Sequence, residues 1–192
     1  MFELGGQSPL ANNNSPQQVS HEEISIREET SLGVAKLVTR CIAPKSIDAF
    51  ARKANITLPH KTNVVAHAGA VDIACVAPGE WLIIGAKKSV ENFEADLSLI
   101  IESFTALLLP LTYARSSFVI SGKGARQVLS AVCPLDLHPT VFSTEMCARS
   151  LLGDVGVFIQ QVNDQPEFRV IIEQPDASYV WRLLYDAGEA VI

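Results

Sequence analysis

The residues best suited to chemistry in this sequence lie within ten positions, CPLDLHPTVF at 133–142. The stretch holds a thiol, a carboxylate and an imidazole at Cys133, Asp136 and His138, and a second thiol follows at Cys147. These side chains bind zinc, and a thiol beside an imidazole can act as a nucleophile with its base. The stretch therefore raises three alternatives: a metal site, a nucleophilic site, or a turn that uses polar residues.

The spacing of these residues favours the turn. Zinc sites use ligands in short pairs, whereas Cys133 and Cys147 are far apart and belong to no tight pair. Asp136 and His138 supply only half of a site. Pro134 instead ends the preceding helix, Asp136 can accept backbone N–H groups, and His138 is held extended because a proline follows it. We predict a structural elbow between a helix and the next strand.

Other polar candidates are weaker. SGKGAR at 121–126 runs from a strand into a helix, but it lacks the third glycine of a dinucleotide fingerprint and does not match a P-loop. Arg126 is expected to pair with local acids such as Asp136 or Glu145, to reach solvent, or to bind a carboxylate. Trp81 begins a short apolar strand and is predicted to be a core residue.

The elbow must be held by regular elements on either side of it. Apolar residues at helical spacing predict helices at 44–54, 89–104, 123–132 and 176–188. Alternating apolar residues predict strands at 24–29 and 70–77, and short apolar runs predict strands at 33–40, 81–85, 115–122, 146–153, 155–162 and 167–173.

The order of these elements repeats along the chain. Each half runs strand, helix, two hairpin strands and helix, which predicts an α+β fold built as a pseudo-duplication of β-α-β-β-α units with mixed or antiparallel sheets. We expect a flexible N-terminal tail at 1–21 and one domain at 22–192, with sub-units at about 24–105 and 111–192.

Composition narrows the class of protein. The 192 residues are 48% hydrophobic and 19% charged, which predicts a sizeable core. The net charge of −6 and the lack of a basic cluster argue against nucleic acid or an anionic membrane as partner. The four cysteines are scattered, and neither a secretory leader nor a membrane-spanning apolar run is visible. We therefore expect a cytoplasmic protein whose thiols are buried hydrophobes.

The elbow also carries a family resemblance. GARQVLSAVCPLDLHPTVF resembles the signature of the gamma subunit of heterotetrameric sarcosine oxidase, in which a Gly-x-x-Ala-Arg-x-x-Leu helix precedes Cys-Pro-Leu-Asp-Leu-His-Pro and a Phe. APGEWLIIG resembles a turn and strand of that family, and YVWRLLYDAG resembles its C-terminal helix. The resemblance covers residues 24–190.

The resemblance implies a fold like the folate-binding domain of aminomethyltransferases and a structural, assembly-forming subunit. In such complexes the alpha subunit holds a dinucleotide and a folate site, the beta subunit holds the flavins, and the delta subunit carries zinc. FAD, FMN, NAD, folate and zinc are then expected in partner subunits and none in this chain. Catalytic, cofactor-binding and metal residues are expected to be absent here, so that Pro134, Asp136, His138 and Trp81 are structural. Self-association of the isolated chain is a further expectation.

The complex would oxidatively demethylate sarcosine or a related N-methyl amino acid. The alternative is a stand-alone folate-binding or aminomethyltransferase-like protein, which needs a carboxylate for the pterin ring. Asp72, Asp136 and Glu173 are the candidates for that role.

Overall fold

The computed structural model describes residues 8–11, 18–21, 23–40, 43–101 and 104–191. Within these ranges the strands are β1 (Gln18–His21), β2 (Ile24–Glu28), β3 (Leu32–Thr39), β4 (Val65–Ala68), β5 (Val71–Ala77), β6 (Glu80–Ala86), β7 (Ala106–Pro110), β8 (Arg115–Ser121), β9 (Cys147–Leu152), β10 (Val155–Asn163) and β11 (Glu167–Glu173). The helices are α1 (Pro44–Ala54), α2 (Lys87–Ile101), α3 (Ala125–Val132) and α4 (Ala177–Val191). None of the helices in the described ranges has the length and hydrophobicity needed to cross a bilayer.

One compact unit is formed by the described parts of 1–30, 113–144 and 149–192. Its sheet has the strand order β1-β2-β8-β11-β10-β9. Helices α3 and α4 pack against each other, and α4 also packs on β2. The buried rings of Phe118 on β8 and Trp181 on α4 have centroids 5.6 Å apart, so apolar burial joins the helical layer to the sheet.

The second unit contains the described parts of 31–112 together with 145–148. Its sheet has the order β4-β5-β6-β3-β7. Helix α1 begins at Pro44, whose fixed φ suits a first helical turn, and Asn55 ends it in the left-handed conformation with φ 53°. The rings of Phe50 and Phe104 pack edge to face with centroids 5.1 Å apart, in the core cluster that contains Trp81.

The two sheets repeat one strand order, and this explains the repeated pattern in the sequence. β8 in the first unit corresponds to β3 in the second: each is followed by a short helix and lies between the third strand of a meander (β11 or β6) and one further strand (β2 or β7). A longer helix follows β11 as well as β6. The predicted α+β class with antiparallel sheets is confirmed.

The structure differs from the predictions at the start of the first half. Gln18–His21, assigned to a flexible tail at 1–21, forms β1 and pairs with β2. Leu10 of the same segment is 1% exposed. β2, placed by the sequence at the start of the 24–105 sub-unit, pairs with β8 of the second half. Residues 1–7 and 12–17 of the predicted tail, together with Cys41, lie outside the described residues.

Two further strands, β4 and β7, were not predicted. β4 reads VAHA and is only four residues long, with a single polar side chain. β7 reads ALLLP, an apolar run without alternation that follows an apolar helix directly, so its period could not be distinguished from that of the helix.

Candidate functional site

Helix α3 determines where the elbow begins. Its buried residues Ala125, Val128 and Leu129 form one face, and the helix packs against α4. The helix ends at Val132, and Cys133 is extended with φ −123° and ψ 130°. The Cys133 N–H still donates to the Leu129 carbonyl at 2.8 Å, and the following proline has no N–H with which to continue the helix.

Local hydrogen bonds shape the elbow after that point. The Asp136 carboxylate accepts the backbone N–H of His138 at 2.9 Å. The His138 carbonyl accepts the N–H groups of Val141 and Phe142, both at 2.9 Å, and its ring Nδ1 lies 2.8 Å from the Thr140 hydroxyl. Both Asp136 and His138 are exposed, and these contacts remain within the turn. The polar residues of the elbow therefore satisfy backbone and neighbouring groups.

Arg126, on the first turn of α3, connects the elbow to the sheet. Its guanidinium donates to the carbonyl of Leu137, to the carbonyl of Phe142 at 3.3 Å, and to the side-chain oxygen of Gln161 at 2.9 Å. Its charged carbon also lies 5.0 Å from the centre of the Phe168 ring. Burial lowers the pKa of Arg126. The expected pairing with Asp136 or Glu145 is thus corrected: the hydrogen bonds of Arg126 go to neutral oxygens.

Arg126 was missed as the organiser of the elbow because its position gave no signal. It lies next to the apolar face of α3, where an arginine normally reaches solvent. Its acceptors are backbone carbonyls and an amide on β10, which become neighbours only when the sheet forms. The arginine within the family-like GARQVL pattern was the one feature that pointed to this position.

Each of the three described thiols is buried, in surroundings of its own. Cys133 is 6% exposed and lies 3.4 Å from the Ser150 hydroxyl. Cys147 is fully buried; burial, with a smaller contribution from nearby Cys75, raises its pKa to about 12. Burial also raises the pKa of Cys75, and its hydrogen bonds with the Thr62 side chain and the Ala77 carbonyl oppose this effect. Buried thiols of raised pKa are poor nucleophiles.

The possible ligand side chains in the described ranges are too dispersed for a metal site. No group of three or more His, Cys, Asp or Glu side chains comes close enough there to hold a metal ion. Two histidines in the second unit each contact one carboxylate at the surface: His67 and Asp72 are 2.6 Å apart, and His60 and Asp48 are 2.9 Å apart. Each pair offers two ligands at most, which is half of a tetrahedral site.

Trp81 lies in the core of the second unit. It is 1% exposed, and its indole N–H donates to the Pro59 carbonyl at 2.8 Å. A cavity of about 30 Å³ adjoins it, with mostly apolar walls that include Phe50 and Phe104. That volume is far smaller than the roughly 300–1,000 Å³ of a typical ligand pocket. The position of Trp81 is that of a packed core residue with its polar atom satisfied.

A second polar cluster, which no sequence pattern indicated, lies in the first unit. Arg169 on β11 makes a two-pronged ion pair with Glu29, at 2.8 and 3.1 Å. The Ser117 hydroxyl donates to the same carboxylate at 3.1 Å. The side chains of Arg169 and Glu29 are 13% and 14% exposed, so solvent screens the pair only weakly.

The fold and this elbow can be compared with known proteins. No family model matches the chain. The gamma subunit of sarcosine oxidase from Corynebacterium sp. (strain P-1) is 28% identical over 120 residues, which are 61% of this chain and 57% of that subunit. The match therefore spans little more than half of the relative's length. The predicted resemblance to the gamma subunit is confirmed as a similarity of sequence.

Solved structures extend the comparison to the whole fold. A chain of the heterotetrameric sarcosine oxidase from Corynebacterium sp. U-96, in complex with pyrrole 2-carboxylate, matches with a TM-score of 0.79 at 21% identity, covering 96% of this chain and 95% of that one. Aminomethyltransferase T of the glycine cleavage system from Bartonella henselae matches with a TM-score of 0.64 at 12% identity, covering 84% and 45%. The predicted aminomethyltransferase-like fold is confirmed.

Proposed function

We propose that this chain is a gamma-type assembly subunit of a heterotetrameric, sarcosine oxidase-like complex, without catalytic residues of its own. The observation that carries the proposal is its match to a chain of heterotetrameric sarcosine oxidase over nearly the full length of both chains. The sequence similarity to a sarcosine oxidase gamma subunit supports it independently. The complex would oxidatively demethylate sarcosine or a related N-methyl amino acid.

The partners would be alpha-, beta- and delta-type subunits, and these would hold FAD, FMN, NAD, folate and zinc. The surface of this chain supports a role in assembly. Two large exposed apolar side chains, Leu107 and Leu109, lie two residues apart on β7, and contiguous exposed apolar area marks interaction surfaces.

The elbow supports a structural role within such a complex. The three side chains that could take part in catalysis have structural surroundings. Cys133 is buried, the Asp136 carboxylate accepts a backbone N–H, and the His138 ring contacts Thr140. General acid–base or nucleophilic catalysis needs a base in reach of the group that it activates. Cys133 has the Ser150 hydroxyl beside it, and within the described ranges no base forms a hydrogen bond with its thiol.

Co-expression tests the proposal. The chain, carrying an affinity tag, is produced together with the alpha-, beta- and delta-like subunits encoded by its own genome. We expect the four chains to co-elute in equal amounts during affinity and size-exclusion chromatography. Elution of the tagged chain alone, with the other three subunits folded and present in the same lysate, contradicts the proposal.

A folate-binding protein is the second candidate, and the match to aminomethyltransferase T favours it. The available carboxylates already have partners: Asp72 contacts His67, Glu173 pairs with Arg115 at 2.8 Å, and Asp136 accepts a backbone N–H. Calorimetric titration of the isolated chain with tetrahydrofolate separates the two proposals. Binding at micromolar concentration or tighter supports the folate protein, and the absence of binding heat supports the assembly subunit.

A further inference from the structure

One edge of the second unit's sheet is open where the first unit's sheet carries an extra strand. In the first unit β1 lies beyond β2 and pairs with it antiparallel over four residues. In the second unit β7 takes the place of β2, and no strand within the described ranges lies beyond it. The internal repeat thus shows which kind of segment fits beside β7: a short, antiparallel strand.

The hydrogen-bonding pattern determines what the open edge of β7 offers. The Arg40 N–H donates to the Thr105 carbonyl, and the Leu111 N–H donates to the Val34 carbonyl. In the alternating antiparallel pattern, these two bonds turn the backbone groups of Leu107 and Leu109 towards β3. The backbone groups of the residues between them, including Leu108, therefore point away from the sheet.

The open edge is rich in acceptors and poor in donors. Its acceptors are the carbonyls of Ala106, Leu108 and Pro110. Its one available donor is the Leu108 N–H, because the Ala106 N–H already donates to the Phe104 carbonyl at 2.8 Å and proline has no N–H. A strand that satisfies this edge must supply three N–H groups and one carbonyl.

The side chains of β7 add an apolar surface beside this edge. Leu107 and Leu109 are 54% and 38% exposed on the side of the sheet opposite the core, whereas Leu108 packs against the core cluster. β7 contains no charged residue. Soluble proteins usually protect an edge strand with charges or proline, and here Pro110 protects only the last position.

We propose that β7 binds an extended segment of a partner subunit as an added antiparallel strand, an inference that rests on the proposed assembly function. Three alternate residues of that segment donate N–H groups to Ala106, Leu108 and Pro110, so none of the three is proline. The two residues between them are apolar and cover Leu107 and Leu109. Main-chain bonds then provide affinity and the two apolar side chains provide selectivity.

A second copy of this chain fits the edge less well. If two β7 strands paired antiparallel about Leu108, only the two reciprocal Leu108 bonds would form. The carbonyl of Pro110 would face the Ala106 N–H, which is already bonded to Phe104, and the carbonyl of Ala106 would face a proline. A different strand with free N–H groups leaves none of these carbonyls unsatisfied.

Hydrogen exchange at single amides tests the proposal in the full chain, alone and assembled with its alpha-, beta- and delta-like subunits. We expect the Leu108 amide to exchange freely in the isolated chain and about tenfold or more slowly in the complex. The Leu107 amide, which bonds to β3, serves as the internal control and is protected in both states. A Leu108 amide already protected in the isolated monomer overturns the proposal.

Two matched variants complete the test. Leu107→Lys places a charge beside the open edge, and Leu99→Lys places one at an 82% exposed site on α2. We expect Leu107→Lys to weaken assembly about tenfold or more and Leu99→Lys to change it less than about twofold. If both variants weaken assembly, the exchange rate of the Leu108 amide in the wild-type complex determines whether the proposal stands.

The outcomes separate this inference from the function on which it rests. A complete complex in which the Leu108 amide exchanges as fast as in the free chain overturns the β7 proposal and leaves the assembly function standing. Absence of any complex with the wild-type chain overturns both. Dimers of the isolated chain with a protected Leu108 amide show that a second copy occupies the edge, which also overturns the proposal.

Discussion

Substitution of Arg126 by alanine should destabilise the first unit by about 3–4 kcal/mol. The change removes the donor for the Leu137 and Phe142 carbonyls and for Gln161 Oε1, all on residues that are at most 3% exposed. Each buried acceptor that loses its partner costs roughly 1–3 kcal/mol, and we take the lower end because the elbow lies near the surface. The lost cation–π contact with Phe168 adds about 0.5–1 kcal/mol.

Urea unfolding followed by circular dichroism measures this loss. Arg149→Ala is the matched control, because Arg149 is exposed on β9 and its removal should change the free energy of unfolding by less than about 0.5 kcal/mol. Arg126→Lys should lose about 2 kcal/mol, since a lysine keeps the charge but not the planar fork that reaches several acceptors. An Arg126→Ala chain within about 1 kcal/mol of the Arg149→Ala chain would refute the assigned role.

Three further predictions follow from buried polar contacts. Arg169→Ala should lower the free energy of unfolding in urea by about 3 kcal/mol, because it leaves the buried Glu29 carboxylate without its ion-pair partner. A loss below about 1 kcal/mol would contradict this. Trp81→Phe should cost about 1–2 kcal/mol in the same assay by leaving the Pro59 carbonyl unpaired, whereas unchanged stability would show that the bond contributes nothing. Because the pKa of Cys147 is raised to about 12, the folded chain should keep this thiol protonated at pH values where the unfolded chain ionises it. The free energy of unfolding should therefore fall as the pH rises above about 9. A Cys147→Ala chain should show a smaller fall.

The sequence carried enough information for most of the fold. Helix α1 was predicted with its observed bounds, because Pro44 marks its start and apolar residues recur on one face. Strand β11 was also predicted with its observed bounds, because an apolar, β-branched run follows the NDQP turn. These signals are local, and the repeated order of elements was visible because each half keeps its own periodicity.

Signals that depend on tertiary pairing were not visible. β1 lies just before the predicted first half and β2 at its start, but β2 pairs with β8, and nothing local shows that a strand will pair with the other half of the chain. β7 has no alternation, since Leu107 and Leu109 remain exposed although they are apolar. The contacts of Arg126 and Arg169 likewise require the assembled sheet. At the elbow, spacing and turn chemistry indicated the roles of Pro134 and Asp136. They did not indicate that the Arg126 guanidinium donates to the elbow's carbonyls.

The central claim is that this chain helps to assemble a complex and does not catalyse its reaction. The most direct test is sarcosine turnover per assembled complex, measured for complexes that carry wild-type chain, Asp136→Asn or His138→Ala, each verified to contain all four subunits in equal amounts. We predict turnover within about twofold of wild type for both variants, because both side chains form their hydrogen bonds within the elbow. A decrease in turnover of about tenfold or more in a complex of unchanged composition would contradict this claim and indicate that the elbow takes part in catalysis.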